Sequence, residues 1–185
     1  KGGLLRVATH SQSTNDTFNS AKFVYGNDYM RGASFYSYLT STGPDGQAQP
    51  ELAESWEGNA EATRWRFKIR RGVTFHDGSP LTQQDVIFSI MRHKLDRTAS
   101  SARPLVANIQ SMTADGDDWV VVQLERADVE MPILIGTFQL AIVKDGTEDF
   151  SRPNGTGAFV LQDFTPGVRT AGKRNPNFWK EGRPY

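Results

Sequence analysis

Arg64-Trp65-Arg66-Phe67-Lys68-Ile69-Arg70 alternates basic and apolar residues without a break. Successive side chains of a strand point to opposite faces, so this spacing predicts a strand with Trp65, Phe67 and Ile69 on a core and the cations in water. Like charges on one wet strand face are read here as solubilising charge and not as a nucleic-acid stripe. Beyond it, Phe75-His76-Asp77-Gly78-Ser79-Pro80 reads as a strand end entering a turn, where Asp77 bonds local backbone. Leu81-Thr82-Gln83-Gln84-Asp85-Val86 then carries a helix-start signature. Thr82 caps, Asp85 reaches back in a capping box, and Leu81 staples onto Val86. Val86, Ile87, Ile90 and Met91 form one apolar face, and Arg92, His93 and Lys94 suit the negative end of the helix dipole.

Working outward, Ile109 to Thr113 and Trp119 to Leu124 flank a turn-rich link at 114–118, the arrangement of a hairpin. Asp128 to Phe138 is apolar enough for a buried helix with Pro132 in its first turn, and Leu140 to Val143 reads as a strand. Gly155 to Leu161 and Val168 to Lys173 are two more strand candidates. At the other end, Leu4 to Thr9 reads as a short, mostly buried strand and His10 to Asp16 as a loop. Met30, Ala33, Phe35, Tyr36 and Leu39 recur at helical spacing, predicting a helix over 27–39 that Gly43-Pro44-Asp45-Gly46 stops. Helices and strands interleave without an internal repeat or low-complexity tract, so the class is α/β.

A chain of 185 residues is long enough for a hydrophobic core. Lys plus Arg and Asp plus Glu both number 21, which speaks against nucleic acid or an anionic membrane as partner. The longest apolar runs, Trp119–Val122 and Pro132–Ile135, fall far short of the ~20 residues of a membrane-spanning helix, so a soluble chain is expected. Cysteine is absent, which excludes disulfides and thiolate metal sites but leaves the compartment open. No charged-then-apolar leader precedes Lys1-Gly2-Gly3, so the start reads as a mature or trimmed one.

Several segments, read in order, resemble bacterial extracellular solute-binding protein family 5. Pro50-Glu51-Leu52-Ala53-Glu54-Ser55-Trp56 is similar to its P-x-L-A-E-S-W motif, and Trp65 to Gly78 to its strand and turn. Thr82-Gln83-Gln84-Asp85-Val86 is similar to T-A-x-D-V, Gly155-Thr156-Gly157-Ala158-Phe159 to G-T-G-P-F, and Asn175 to Tyr185 to N-P-x-Y-W-x-x-G-x-P-Y. Any one motif is weak; the ordered set is strong. Two departures stand out: the usual L-D-P element appears as Phe18-Asn19-Ser20, removing the rigidity of proline, and Ala158 replaces a proline.

The resemblance covers Leu4 to Tyr185 but only the first part of a family member. It implies a periplasmic-binding-protein-like fold of class II, three-subdomain type, here an N-terminal lobe with a mixed sheet. Residues 1–40 and 150–185 then belong to the central lobe and 41–149 to an extra subdomain, with the second lobe absent. Two lobes closing on a solute shift a population that hinge flexibility already supplies. The implied role is the solute-binding component of an ABC importer: an exported, monomeric periplasmic protein that takes a di- or oligopeptide, opine, nickel complex or similar solute to membrane permease subunits. No cofactor and no nucleic acid are implied. By position in the family pattern, Val24, Tyr25 and Gly26 line the cleft, and Ala102 and Arg103 reach it, Arg103 as a bidentate partner for a ligand carboxylate. Gly72, Gly78, Gly155, Gly157, Trp56, Trp65 and Trp179 are read as turns and packing. Without a second lobe, the 185 residues are expected to bind solute weakly or not at all, since closure needs two faces.

Two rival readings remain. The same fold can report a ligand to a receptor, as a sensor or scaffold. A hydrolase would rest on His76 and Asp77 with Asp85, but adjacent strand residues point to opposite faces, and no G-x-S-x-G, H-E-x-x-H or P-loop is present.

Overall fold

The computed structural model describes residues 3–11 and 13–182. In chain order these residues form α1 (Gly26–Phe35), β1 (Thr40–Thr42), β2 (Ala48–Pro50), β3 (Ala53–Gly58), β4 (Arg64–Ile69) and α2 (Gln83–Met91). They continue through α3 (Arg103–Val106), β5 (Ile109–Asp115), β6 (Trp119–Leu124), α4 (Met131–Leu134), β7 (Phe159–Thr165) and β8 (Arg169–Arg174). Short 3-10 turns join several of them.

The alternating segment is β4, paired antiparallel with β3 on one side and β6 on the other, in a sheet of order β3-β4-β6-β5. Phe67 and Ile69 are buried, and Phe67 lies opposite Val120. The basic face is not left bare. Arg66 bonds Glu57 at 2.7 Å and Asp115 at 2.9 Å and lies 4.6 Å over the Trp119 ring, while Glu54 faces both Lys68 and Arg70. Exposed pairs of this kind contribute roughly 0–1 kcal/mol each, so they mainly neutralise the stripe. Helix α2 starts as its sequence requires: Thr82 Oγ1 accepts from the Asp85 amide, and the Asp85 carboxylate accepts from the Thr82 amide at 2.6 Å. Val86 and Ile90 join the sheet's apolar side in a core that also takes in Leu39, Leu52, Ile109, Met131 and Ile142.

A second core gathers Phe18, Phe23, Phe35, Tyr36, Ala141, Val143 and Leu161. Phe18 meets the Phe35 ring edge-on at 5.4 Å and the Phe164 ring at 4.5 Å. The seam between the cores runs through Gly155 and Gly157. A Cβ on Gly155 would lie 2.1 Å from the Phe35 carbonyl oxygen, and one on Gly157 would lie 2.4 Å from the Phe35 carbonyl carbon. The close approach lets the Gly157 amide donate to Phe35 O at 3.1 Å. Gly72 and Gly78, by contrast, serve turns, at φ of +75° and +84°. The tryptophans pack as read: Trp56, Trp65 and Trp179 lie against the first core.

Several expectations change. Leu4 to Thr9 forms no ladder, and Leu4, Leu5 and Val7 are exposed, since a strand needs a neighbour and none of the described residues provides one. The helix expected over 27–39 ends at Phe35, because Leu39 is drawn into the other core and the Tyr38 and Leu39 carbonyls accept from Leu52 and Ala53. The helix expected over 128–138 is the single turn α4, with Pro132 in it. Leu140 to Val143 is buried but unladdered: the Ile142 amide donates to Ser37 O and the Val143 amide to Ser89 Oγ. The 109–124 hairpin forms as expected, with β5 extended to Asp115, whereas of the strands expected over 155–161 and 168–173 the first is shifted: β7 begins at Phe159, because Gly155 and Gly157 pack against Phe35, and pairs with β8 at Arg169–Arg174. Every ladder among the described residues is antiparallel, so the expected mixed sheet is not found among them. The last motif's Pro184-Tyr185 lies outside the described residues.

Gly157→Ala forces the seam apart, whereas Thr82→Ala removes one cap. Urea unfolding is expected to show a loss of about 1 kcal/mol for Thr82→Ala and a clearly larger one, more than about 2 kcal/mol, for Gly157→Ala.

Candidate ligand-binding site

The approach to the site begins at Phe18-Asn19-Ser20. Phe18 and Phe23 are fully buried anchors, and between them Ser20–Lys22 makes one 3-10 turn. No proline is needed to hold it, because Asn19 Oδ1 accepts from the Ala21 amide at 3.2 Å and from Arg92 Nη2 at 2.6 Å. Val24 and Tyr25 then emerge, 60% and 59% exposed, and Gly26 opens α1.

The Asp28 carboxylate fixes that emergence. Its Oδ2 accepts from the Val24 amide at 2.8 Å and the Tyr25 amide at 2.9 Å, and its Oδ1 accepts from Arg31. Arg31 also bonds Asp16 at 3.0 Å, and Asp16 accepts from the Gly167 amide at 3.3 Å. All three ionised side chains are buried. A buried charge group of this kind is stable only while each member keeps its partners, so the loop, the helix and the β7–β8 turn are held as one piece.

The loop before α3 lies against the same segment. The Ser101 amide donates to Ala21 O at 2.9 Å, and Ser101 Oγ lies 3.2 Å from both Ala21 O and Phe23 O. Sequence reading placed Ala102 and Arg103 at the cleft. Ala102 is instead fully buried in the first core, because it is the residue by which the loop docks. Arg103 is exposed and pairs with Asp96.

An open cavity of about 780 Å³ adjoins this surface, walled by Asp16, Asn19, Lys22, Tyr25, Phe150 and Phe164 among others. Of the candidate residues, Tyr25 lines it; Val24, Gly26 and Arg103 do not. Sequence reading did not single out Phe150 or Phe164, which come from segments remote in the chain and carry no motif. Beside the cavity lies Arg92, 5% exposed and 4.5 Å over the Phe150 ring. Burial lowers its pKa to about 10.

His76 and Asp77 serve the seam. The His76 amide donates to Gly155 O at 2.8 Å, Nδ1 lies 3.4 Å from the Gly155 amide nitrogen, and Nε2 lies 3.2 Å from Gly157 O. That pattern suits a neutral ring with the proton on Nε2. Desolvation lowers the His76 pKa, against the opposing pull of the Gly157 carbonyl. Burial alone would raise the Asp77 carboxyl, but the Ser79 hydroxyl and amide, Lys144 and Asn154 together hold it below the ordinary range. Asp85 is engaged by Thr82 and the Asp145 amide. The three groups face separate partners and do not form one polar cluster. Among the described residues no group of three or more His, Cys, Asp or Glu side chains is placed to hold a metal ion.

The family described as bacterial extracellular solute-binding proteins, family 5 Middle, matches residues 47–185. The chain belongs to this family. Among curated relatives of this family 5 chain, the uncharacterized protein YhjP of Bacillus subtilis (strain 168) is 30% identical over 139 residues, covering 75% of this chain and 23% of the relative. Di/tripeptide-binding protein 2 of Pseudomonas aeruginosa (strain UCBPP-PA14) is 27% identical over 208 residues, covering 96% of this chain and 39% of the relative. Among solved structures, the periplasmic binding protein AgaA of A. tumefaciens R10, in complex with agropinic acid, superposes with a TM-score of 0.79 at 26% identity, over 90% of this chain and 35% of that one. The family 5 chain thus spans about a quarter to two fifths of the length of the relatives it matches.

Asp28→Ala leaves two part-buried amides without an acceptor and the buried Arg31 with one carboxylate. It is expected to cost roughly 3 kcal/mol in chemical denaturation. A second expectation concerns pH. Burial, aided by the Arg92 charge, lowers the fully buried His93 from 6.5 to about 3, and His76 is lowered too. The unfolded chain therefore binds more protons than the folded one between these values. Stability from this source is complete above pH 6.5 and is lost progressively as pH falls towards 3. Urea titrations across that window are expected to show the decline, and to show less of it in His93→Gln.

Proposed function

We propose that this chain is part of the solute-binding component of an ABC importer, which captures a peptide-like or other small solute in the periplasm and delivers it to a membrane permease. The observation that carries the reading is membership of family 5 over residues 47–185, together with an exposed, internally braced segment beside a cavity of small-molecule size. The printed roles of the relatives, di/tripeptide binding in one and a complex with agropinic acid in another, support a small solute.

On this reading residues 1–40 and 150–185 are central lobe, and 41–149 the extra subdomain. Val24, Tyr25 and Gly26 are the proposed solute contacts. Arg103 is the proposed partner for a solute carboxylate, which would replace Asp96 on its guanidinium. The working unit is a monomer that needs no cofactor, and the second closing face comes from sequence beyond this lobe.

The test is the full-length protein purified from its host. Native mass spectrometry is expected to find a retained small molecule, and calorimetry with that molecule is expected to show affinity weakened at least about tenfold by Tyr25→Ala. A protein that emerges empty, and shows no binding heat with peptides, opines or nickel, would sink the proposal.

A further inference from the structure

Asn154-Gly155 is the one Asn-Gly pair in the sequence, and it stands in the seam between the two cores. A glycine after asparagine leaves its backbone nitrogen unscreened by any side chain, so the nitrogen can close a ring onto the neighbouring carboxamide carbon. The surroundings supply what such a closure needs. The Gly155 amide donates to His76 Nδ1, 3.4 Å away, so the proton that must leave points at a ring nitrogen able to take it. The Asn154 carboxamide faces the same stretch: Oδ1 accepts from the Asp77 amide at 3.2 Å, and Nδ2 donates to Asp77 Oδ2 at 2.9 Å. The carbon to be attacked therefore lies on the side of the Gly155 N–H, with its oxygen already on a donor where negative charge would develop. Asn154 is half-buried, so water reaches it, whereas Gly155 is buried and fixed by its carbonyl, which accepts from the His76 amide at 2.8 Å.

We propose that Asn154 is a self-modification site, at which His76 acts as the base for conversion of the carboxamide to a carboxylate with loss of ammonia. His76 Nδ1 takes the Gly155 amide proton, and the amide nitrogen forms a bond to Asn154 Cγ while the Asp77 amide steadies Oδ1. The Cγ–Nδ2 bond then breaks, and Nδ2 leaves as ammonia with the proton from His76. The cyclic imide left behind takes up one water. It opens to aspartate when the new bond breaks, or to isoaspartate when the original peptide bond does. Nothing is oxidised or reduced. The step requires neutral His76, and burial holds the ring in that form near neutral pH. Both ring nitrogens face the seam, so this base serves no outside substrate, and none of these groups is a proposed solute contact.

The product matters because of where it forms. Either opening places a carboxylate beside Asp77 Oδ2, replacing a hydrogen bond by like-charge repulsion. Isoaspartate also lengthens the backbone directly before Gly155, which has no room to shift: a Cβ there would lie 2.1 Å from the Phe35 carbonyl oxygen. The reaction thus loosens the contact between the cores as the protein ages.

The experiment incubates the folded full-length protein and a synthetic peptide of residues 152–157 at the same neutral pH and temperature, and follows conversion at Asn154 by peptide mapping and mass spectrometry. The folded protein is expected to convert at least about tenfold faster than the peptide. His76→Gln should bring the rate down to that of the peptide or below, and Asn154→Asp should melt earlier than the unmodified protein. A folded protein that converts no faster than the peptide overturns the inference, since the seam would then protect the pair. So does an unchanged rate in a His76→Gln protein whose circular dichroism matches the wild type. If His76→Gln does not fold, the comparison of folded protein with peptide decides by itself.

Discussion

The peptide from Gly155 to Gly157 is wedged between the end of α1 and the turn at His76, with no room for a side chain on either glycine. It is bonded from both directions. Phe35 O and Ser37 Oγ engage it on one side, and the His76 amide and ring on the other. Because the residues that grip it lie about 80 to 120 positions away, this contact sets how the sheet of β3 to β6 sits against α1. Shift it, and the two cores part along the line where Ala141 and Val143 belong to one and Leu140 and Ile142 to the other.

From that constraint follows the orientation of α1, and from the orientation follows its unusual polarity. Asp28 and Arg31 are turned inward, where desolvation makes isolated charge unfavourable. They are tolerated because Asp16 and the Val24, Tyr25 and Gly167 amides complete the group. A buried ionic group of this sort is weak as a source of stability and strong as a source of fixed geometry. What it fixes here is the stretch that leads into the cavity, and what it leaves outside is apolar. Binding proteins that close on a ligand need one face rigid before closure, since ordering it afterwards would subtract from affinity.

The same logic assigns His76 and His93 to the scaffold. His76 sits where a general base was conceivable by residue type, yet both ring nitrogens face the backbone of residues 155 and 157. His93 is enclosed with Nδ1 2.6 Å from Ser100 Oγ. Burial keeps both rings toward the neutral form, so they join segments and are silent as charges near neutral pH.

Local features were legible in the chain by itself. The alternation at 64–69, the Thr82–Asp85 cap, the hairpin flanking 114–118 and the ordered family motifs all depend on neighbours within a few residues, and periodicity reports those directly. Tertiary structure decided the rest. Leu4 to Thr9 and Leu140 to Val143 have strand composition, but a strand exists only where a second backbone answers its amides, and composition does not say where one lies. The spacing of Met30, Ala33 and Phe35 predicted a helix without saying which face it buries; Asp28 and Arg31 turn inward because they pair with each other and with Asp16, which also accepts from the Gly167 amide, 151 residues on. The Asp28–Arg31 pair is local, but its Asp16 and Gly167 partners are brought to it only by the tertiary structure.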